Sequence, residues 1–322
     1  MFRSASTGRW VEVASQESFL PRTGLALAGG EIDKIDPKAV ASLAHKPAGG
    51  CIAEEVTVVG FPLTTKNPKG SAILLYDVGN RVYVDVAVEG QQVPSQAPGA
   101  TFDDLGSTSV AVAIDEVECE LHVLFAGRIP EADKSIDTMI FDYKFDLTDF
   151  SLLDVDLIAR EGFGGAPAPF DPSARWDNFD ERTKIAIAPD TTHGYVAAFA
   201  AAAKNRPNGP DRITKKSSAA LFRYVPGSGL TTVARAGDPT CAPGWPSAGT
   251  TYDSFDPAVL VAISGGVTPT VVFSASSKGS PSGDTAVEAH RGAGCGSTGT
   301  TTVAYEGGPT PLFGLATWGD LE

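Results

Sequence analysis

The sequence repeats itself with a period of 70 to 75 residues. A short apolar stretch that contains an alanine, usually followed by a glycine turn, recurs five times in the 322 residues. These marker alanines are 73, 72, 75 and 70 residues apart: Ala14, Ala87, Ala159, Ala234 and Ala304. A fixed period is typical of repeat architectures, because one unit cannot bury its apolar face without its neighbours. The period therefore constrains the fold more than any single motif does.

Each of the four complete repeats contains four short strand-like segments, which we name a, b, c and d in sequence order. They are rich in Val, Ile, Phe and Ala and are separated by clusters of Gly, Pro, Asp and Ser, as short antiparallel strands are. Segments c and d are apolar on both faces, which is typical of strands buried on both sides. Every segment d ends in a phenylalanine: Phe61, Phe125, Phe199 and Phe273. The alanine-rich stretch 197–204 favours a helix locally, but its place in the repeat predicts a strand.

These features predict an all-β, β-propeller-like fold built from four-stranded repeats. We interpret 1–322 as a single repeat domain. The fifth repeat has segments a and b but neither c nor d, so we expect five blades with an incomplete last unit and a native chain that continues past Glu322. The approximate repeat boundaries are 1–72, 73–138, 139–219, 220–286 and, as a partial repeat, 287–322.

The charge of the chain excludes several classes of partner. With 39 acidic and 25 basic residues the net charge is −14. Nucleic acids and anionic membranes both favour basic surfaces, so neither is an expected partner. No apolar run reaches the roughly 18 residues that a membrane helix needs, and no signal peptide is recognisable at the start. We therefore expect no membrane insertion.

Several motifs follow one another in a fixed order within the repeats. An LFR-like strand (220–223), a VAR-x-G step (233–239 and 157–162) and an aromatic-x-x-Phe step (252–255) precede an apolar strand that ends in Phe. This combination resembles the bacterial tandem NxxGxxAF repeat proteins of the choice-of-anchor type. The nearest match to the naming motif is 194–199, which has one extra residue and lacks the Asn. The resemblance implies a secreted or surface-anchored β-repeat protein and brings no catalytic residues.

An aspartate step precedes segment c in the four complete repeats and recurs in the partial fifth repeat. Its members are Asp33/Asp36, Asp103/Asp104, Asp177/Asp180, Asp253/Asp256 and Asp320. Calcium is bound by several oxygen ligands, so Asp103, Asp177 and Asp253 are candidate ligands for Ca²⁺. The alternative is an Asx-type turn, in which the carboxylate accepts hydrogen bonds from backbone N–H groups. The spacing lacks the density of a single-loop cation cage and favours the turn. No other cofactor is expected.

Two groups of loop residues are candidate binding residues. Aromatic side chains in the loops between segments b and c suit contact with a glycan or a protein: Phe163, Phe170, Trp245 and Phe313. A local basic cluster in the longest loop between d and a suits an acidic partner or self-association: Lys204, Arg206, Arg212, Lys215 and Lys216. The alternatives are aromatics that cover the blade ends and a solvated basic loop.

No sequence motif indicates catalysis. A nucleophile elbow, an HExxH helix and a phosphate loop are all absent from the sequence. A glycosidase needs paired carboxylates, and Asp77, Asp142 and Glu288 lie in or beside segment a. The leading hypothesis is a non-enzymatic extracellular binding or structural module with an unassigned protein or glycan ligand. The alternative is a propeller hydrolase that acts on polysaccharide.

The four cysteines do not have the spacing of a zinc site. Cys51 and Cys119 both lie shortly before the last strand of consecutive repeats, in loops that are neighbours in a propeller. A disulfide between them is one interpretation. Pairing of Cys241 with Cys295 and unpaired buried thiols are the others.

Overall fold

The computed structural model describes the chain over the following residues: 2–3, 10–11, 13–16, 20–21, 25–35, 41–52, 54–94, 96, 98–130, 138–162, 174–177, 183–204, 219–239, 251–255, 262–264, 270–278, 285–291 and 300–305. These residues form 21 β-strands and no helix. Over the same ranges, no helical segment with the length and hydropathy of a membrane span is found.

The chain divides into two compact units. The first comprises Met1–Arg160 with Asp180–Arg182, and the second comprises Glu161–Phe179 with Thr183–Glu322. Each contains two antiparallel sheets, and we number the sheets 1 to 4 along the chain. Over the described residues, sheet 2 has four strands and sheets 1, 3 and 4 have five.

Sheets 1 and 2 form the first compact unit, together with a small separate hairpin. The hairpin pairs β1 (Phe2–Arg3) with β2 (Trp10–Val11). Sheet 1 consists of β4 (Ser42–Lys46), β5 (Val56–Lys66), β6 (Lys69–Asp77) and β7 (Val82–Val88), and β3 (Ile32–Lys34) pairs with the far end of β5. Sheet 2 consists of β8 (Val110–Asp115), β9 (Glu120–Arg128), β10 (Thr138–Asp146) and β11 (Leu152–Arg160).

Sheets 3 and 4 form the second compact unit and each carries the same additional short strand. Sheet 3 consists of β13 (Ile185–Asp190), β14 (Gly194–Lys204), β15 (Ala219–Val225) and β16 (Gly229–Arg235), and β12 (Arg175–Asp177) pairs with β14. Sheet 4 consists of β18 (Ala262–Ser264), β19 (Thr270–Lys278), β20 (Thr285–Arg291) and β21 (Thr300–Tyr305), and β17 (Thr251–Ser254) pairs with β19. The predicted all-β fold class, with consecutive antiparallel strands, is confirmed, and the alanine-rich stretch 197–204 is a strand as predicted.

The register explains why the period is marked by alanine. Every sheet takes segments c and d from one repeat and segments a and b from the next. In each sheet the marker alanine lies opposite a residue of segment a, directly before a shift of register: Ile73↔Ala87, Ile140↔Ala159, Leu221↔Ala234 and Val287↔Ala304. A bulge bends the strand and increases its twist locally. Ala87, Ala159 and Ala234 are buried there, and a larger side chain in a packed core has to displace its neighbours.

The terminal phenylalanines of segment d belong to the core. Phe125, Phe199 and Phe273 are buried, and each lies near the aromatic residue that opens the aspartate step of its sheet. The ring centroids are 6.0 to 6.3 Å apart in the pairs Phe102–Phe125, Trp176–Phe199 and Tyr252–Phe273. These aromatic pairs recur because the aspartate step folds back onto segment d.

Gly60 marks close contact between sheets 1 and 2. A Cβ atom at this position would lie 2.7 Å from Cγ1 of Val112 and 3.0 Å from Cγ1 of Val110. We expect Gly60→Ala to lower the free energy of unfolding by about 1–3 kcal/mol, because the valines must shift. Urea denaturation measures the effect. The control Gly79→Ala, whose Cβ would meet nothing closer than 3.5 Å, should change stability much less. Equal losses for both variants would show that the contact is not tight.

Candidate functional site

A polar cleft of about 520 Å³ lies at one end of sheet 1, within the first compact unit. One wall comes from β3 and from the hairpin that joins β5 to β6. The other wall comes from the residue that follows β7 and from the loop 104–107. The cleft is lined by three acids, three lysines and four hydroxyl side chains: Asp33, Glu89 and Asp104; Lys34, Lys66 and Lys69; Thr64, Thr65, Ser71 and Ser107.

A chain of hydrogen bonds fixes the wall that carries Glu89. The buried Ser71 hydroxyl donates to Oε2 of Glu89 (2.8 Å) and accepts from the backbone N–H of Leu105 (2.8 Å). The backbone N–H of Glu89 also donates to the carbonyl of Ser71 (2.9 Å). These bonds tie the loop after Asp104 to the edge of sheet 1, while the Glu89 side chain stays exposed to the cleft.

The same pair of positions covaries among the repeats. A backbone bond equivalent to that of Glu89 runs from the N–H of Ala236 to the carbonyl of Ala219 (2.9 Å). Where the glutamate is present its partner position carries a hydroxyl, and where it is lost both positions are alanine: Ser71/Glu89, Thr138/Glu161, Ala219/Ala236 and Thr285/Glu306. The glutamate after the marker alanine is therefore coupled to a hydroxyl, and this covariation is the sequence signal that identifies this wall.

Lys66, Asp33 and Asp104 have partners within or beside the walls of the cleft. Nζ of Lys66 lies 3.1 Å from Oε1 of Glu31 and 3.6 Å from Oδ1 of Asp33. Oδ1 of Asp104 accepts from the backbone N–H of Gly106 (2.7 Å), which is an Asx-type turn. A Cβ atom at Gly106 would lie 2.3 Å from Cγ2 of Thr64, so the loop approaches the opposite wall closely. The result is a charge-balanced surface that is dense in donors and acceptors.

The candidate calcium ligands lie beside three different sheets. Asp103 precedes sheet 2, where its backbone N–H donates to the carbonyl of Arg128 (2.9 Å) and its Oδ2 lies 3.8 Å from Nη1 of the same arginine. Asp177 is in β12 and Asp253 in β17, each directly after a buried aromatic residue. In the part of the chain that the structure describes, no group of three or more His, Cys, Asp or Glu side chains is arranged to hold a metal ion.

Removal of divalent cations tests the role of these aspartates. Because the Asp103 carboxylate lies beside a guanidinium, we expect EDTA to leave the melting temperature of the protein unchanged, and added Ca²⁺ to leave it unchanged as well. Differential scanning calorimetry in matched buffers measures both. A melting temperature that falls with EDTA and recovers with Ca²⁺ would instead identify a structural calcium site.

Two of the three candidate hydrolase carboxylates have structural partners. Asp77 is buried and accepts from the backbone N–H of Gly79 (2.9 Å) and from Nδ2 of Asn80 (2.6 Å), so it closes the turn after β6. Asp142 is buried with its carboxylate 3.0 Å from Nδ1 of His122. Glu288 lies in β20, but its side chain is outside the described residues.

Sequence reasoning missed the cluster around His122. His122 and Asp142 are diagonal neighbours on β9 and β10, two residues out of direct register, and are on the same face of sheet 2. Glu120 Oε2 lies 3.6 Å from the other ring nitrogen of His122. Burial lowers the pKa of Lys144, but its bond to Asp156 (2.7 Å) and nearby carboxylates raise that pKa by more, so the net shift is upward. These charged residues stand two positions apart along each strand (Glu120 and His122 on β9, Asp142 and Lys144 on β10), so their side chains lie on one face. This alternation is the sequence signal that could have revealed the cluster.

The other predicted site residues divide into those that are described and those that are not. Cys51 and Cys119 form a disulfide with a Cα–Cα distance of 5.8 Å. Lys204 is the last residue of β14, opposite Arg175. The remaining candidates lie outside the described residues and stay predictions: Phe163, Phe170, Trp245, Phe313, Arg206, Arg212, Lys215, Lys216, Cys241 and Cys295.

Comparison with known proteins does not assign the chain to a family. No protein-family model matches the chain. No curated protein matches it either. Among solved structures, the chain is similar to a complex of the GH93 alpha-L-arabinofuranosidase of Fusarium graminearum with arabinobiose, at 10% sequence identity and a TM-score of 0.40. The match covers 82% of this chain and 64% of that one, so the chain spans less than two thirds of that protein's length. A similarity of this size assigns no activity.

Proposed function

We propose that the protein is a non-enzymatic, extracellular binding module that holds a hydroxyl-rich ligand, such as a glycan, in the polar cleft at the end of sheet 1. The observation that carries this proposal is the convergence of acids, lysines and hydroxyls around a space of about 520 Å³. That volume is within the range of roughly 300–1,000 Å³ typical of small-molecule sites.

The chemistry of the walls fits a neutral polyhydroxylated ligand. Each sugar hydroxyl both donates and accepts hydrogen bonds, carboxylates only accept and ammonium groups only donate, so a mixed surface satisfies both roles. Three acids and three lysines line the cleft, so their formal charges cancel. With no net formal charge, the cleft has no preference for an anionic or a cationic ligand, and ordered water can complete the contacts that the walls do not reach.

The bonds made by the cleft carboxylates support binding rather than hydrolysis. Asp33 lies beside Lys66, Glu89 is bonded to Ser71, and Asp104 is bonded to the backbone of its own turn. Glycoside hydrolysis needs one carboxyl group to give a proton and another to act as base or nucleophile. A disulfide in the same compact unit supports an extracellular location, because such bonds persist in oxidising compartments.

A binding experiment with matched variants tests the site. Candidate glycans from an array of neutral oligosaccharides are titrated by calorimetry against the wild type and against Lys69→Ala and Glu89→Gln. Hydrogen bonds to charged groups contribute about 1.5–3 kcal/mol, so each variant should weaken binding by roughly tenfold or more. Glu118→Gln, which alters an exposed glutamate in the β8–β9 turn, should bind as the wild type does. Unchanged affinity in both cleft variants would refute the site.

A polysaccharide hydrolase is the second candidate, because three carboxylates line one cleft. Incubation with the bound glycan distinguishes the two. Release of reducing ends over time by the wild type, abolished in Glu89→Gln, would support the hydrolase and contradict the non-enzymatic proposal. Binding without any release supports the binding module.

A further inference from the structure

One side chain on the last strand of sheet 1 departs from the repeat by carrying a charge. The residue two before the marker alanine pairs with a residue of segment a, directly past the register shift: Asp85, Leu157, Thr232 and Thr302. Of the four sheets, sheet 1 alone has a carboxylate at this position. Asp85 is partly buried on β7, opposite Leu74 of β6. The repeat accounts for the strand but not for the charge, and the surroundings of Asp85 in sheet 1 supply a reason for it.

Asp85 binds the backbone of a segment that lies against one face of sheet 1, residues 25–31, which we call the strap. Oδ2 of Asp85 accepts a hydrogen bond from the backbone N–H of Ala26 (2.7 Å). The next residue, Leu27, is buried in the apolar cluster to which Leu74 of sheet 1 also belongs. The carboxylate therefore fixes the strap to the sheet at the residue beside its apolar anchor.

The strap is also in contact with one wall of the polar cleft. A Cβ atom at Gly70 would lie 3.1 Å from Cδ2 of Leu27, so the leucine side chain lies against the backbone of the hairpin that joins β5 to β6. The backbone N–H of Lys66 donates to the carbonyl of Glu31 at the end of the strap (2.9 Å). Lys66 and Gly70 both line the cleft. The strap therefore supports the cleft wall from outside, at two points of the same hairpin.

The surroundings of Asp85 need its hydrogen-bond acceptor more than its charge. Its second oxygen, Oδ1, is shielded from solvent and has no hydrogen-bond partner in the part of the chain that the structure describes. Burial raises the pKa of Asp85 above its ordinary value, and the bond from the N–H of Ala26 lowers that pKa by less. A neutral acceptor of the same shape, which asparagine provides, should therefore hold the strap as well as the carboxylate does.

We propose that Asp85 is a positioning residue for the cleft: it holds the strap, and the strap holds the hairpin that carries Lys66 and Lys69. The inference rests on the proposed function, because it gives a part in ligand binding to a residue that does not line the cleft. Without the bond to Asp85, the strap should separate from the hairpin more often. The two lysines would then be less well ordered before binding, and a ligand would bear the cost of ordering them.

Amide hydrogen exchange of the full chain without ligand, measured by NMR, tests the strap directly. In Asp85→Ala the N–H of Lys66, whose acceptor is in the strap, should exchange roughly tenfold faster than in the wild type. Asp85→Asn keeps an acceptor for Ala26 and should exchange at the wild-type rate. The control Asp149→Ala removes an exposed carboxylate that accepts from the N–H of Ser151 (2.8 Å) in sheet 2, and it should change nothing at Lys66. Unchanged exchange in Asp85→Ala, or equal acceleration in Asp85→Asn, would overturn the proposal.

Calorimetric titration with neutral oligosaccharides separates this proposal from the proposed function. Where the wild type binds an oligosaccharide, Asp85→Ala should weaken binding by roughly threefold to thirtyfold, and Asp85→Asn should bind as the wild type does. Equal affinities of Asp85→Ala and the wild type would refute the positioning role and leave the cleft as the binding site. A wild type that binds no oligosaccharide would refute the proposed function, and the exchange rates would then decide by themselves whether Asp85 positions the cleft wall.

Discussion

Replacing Asp142 with asparagine is expected to lower the free energy of unfolding by about 1.5–3 kcal/mol, which is typical of a lost hydrogen bond to a charged group. Asp142 is 1% exposed and both of its carboxylate oxygens lie 3.0 to 3.1 Å from Nδ1 of His122, which is 4% exposed. The variant keeps the size of the side chain but removes its charge from a site that water does not reach. Urea denaturation of the full chain, with the slope compared between proteins, measures the loss.

A matched variant and a double-mutant cycle separate pairing from general damage. Asp154→Asn makes the same chemical change on β11 of the same sheet, where the carboxylate is 66% exposed, and should cost no more than about 1 kcal/mol. The double variant His122→Ala/Asp142→Ala should be destabilised by less than the sum of its single variants. Additive losses, or a loss below about 1 kcal/mol for Asp142→Asn, would show that the His122–Asp142 pair is not a coupled structural element.

Removing the disulfide is expected to have a comparable effect. Cys51 and Cys119 are 68 residues apart, and closing a loop of this length stabilises the folded state by about 4 kcal/mol through the entropy of the unfolded chain. Cys51→Ser/Cys119→Ser should therefore unfold at clearly lower guanidinium concentration than the oxidised wild type. Denaturation followed by fluorescence measures the two midpoints.

Reduction supplies the control for this prediction. With reductant present throughout, the wild type should lose its advantage and unfold close to the midpoint of the double-serine variant. If the wild type and the variant have the same midpoint without reductant, the bond does not stabilise the protein. If they still differ strongly with reductant, the serines disturb packing rather than remove a cross-link.

The fold was predictable to the level of strands but not to the grouping of strands into sheets. The marker alanines and terminal phenylalanines predict where strands lie, because local composition and turn residues set both. Segments c and d pair with segments a and b of the following repeat. Long-range strand pairing decides this grouping, and the sequence period would be the same for any other grouping. The register shift next to Ala87 and Ala159 gives the alanine its physical reason, and this shift is visible only in the paired strands.

The candidate site was less predictable, because its chemistry comes from distant stretches. Asp33, Lys66, Glu89 and Asp104 belong to four separate segments and form a site only when sheet 1 and its loops are assembled. The aspartates recur in every repeat, so the sequence pattern emphasises what the repeats share and not what sheet 1 alone brings together. The paired loss of hydroxyl and glutamate at Ala219 and Ala236 was present in the sequence, but its meaning depends on knowing that the two positions are bonded neighbours.

The most direct test of the proposed function is a crystal structure of the protein with a glycan selected from the array. The proposal predicts an intact oligosaccharide in the cleft at the end of sheet 1, with its hydroxyls bonded to Lys69, Glu89 or Asp104. An intact ligand bound elsewhere on the molecule would contradict the site, and a cleaved ligand in the cleft would contradict the non-enzymatic role.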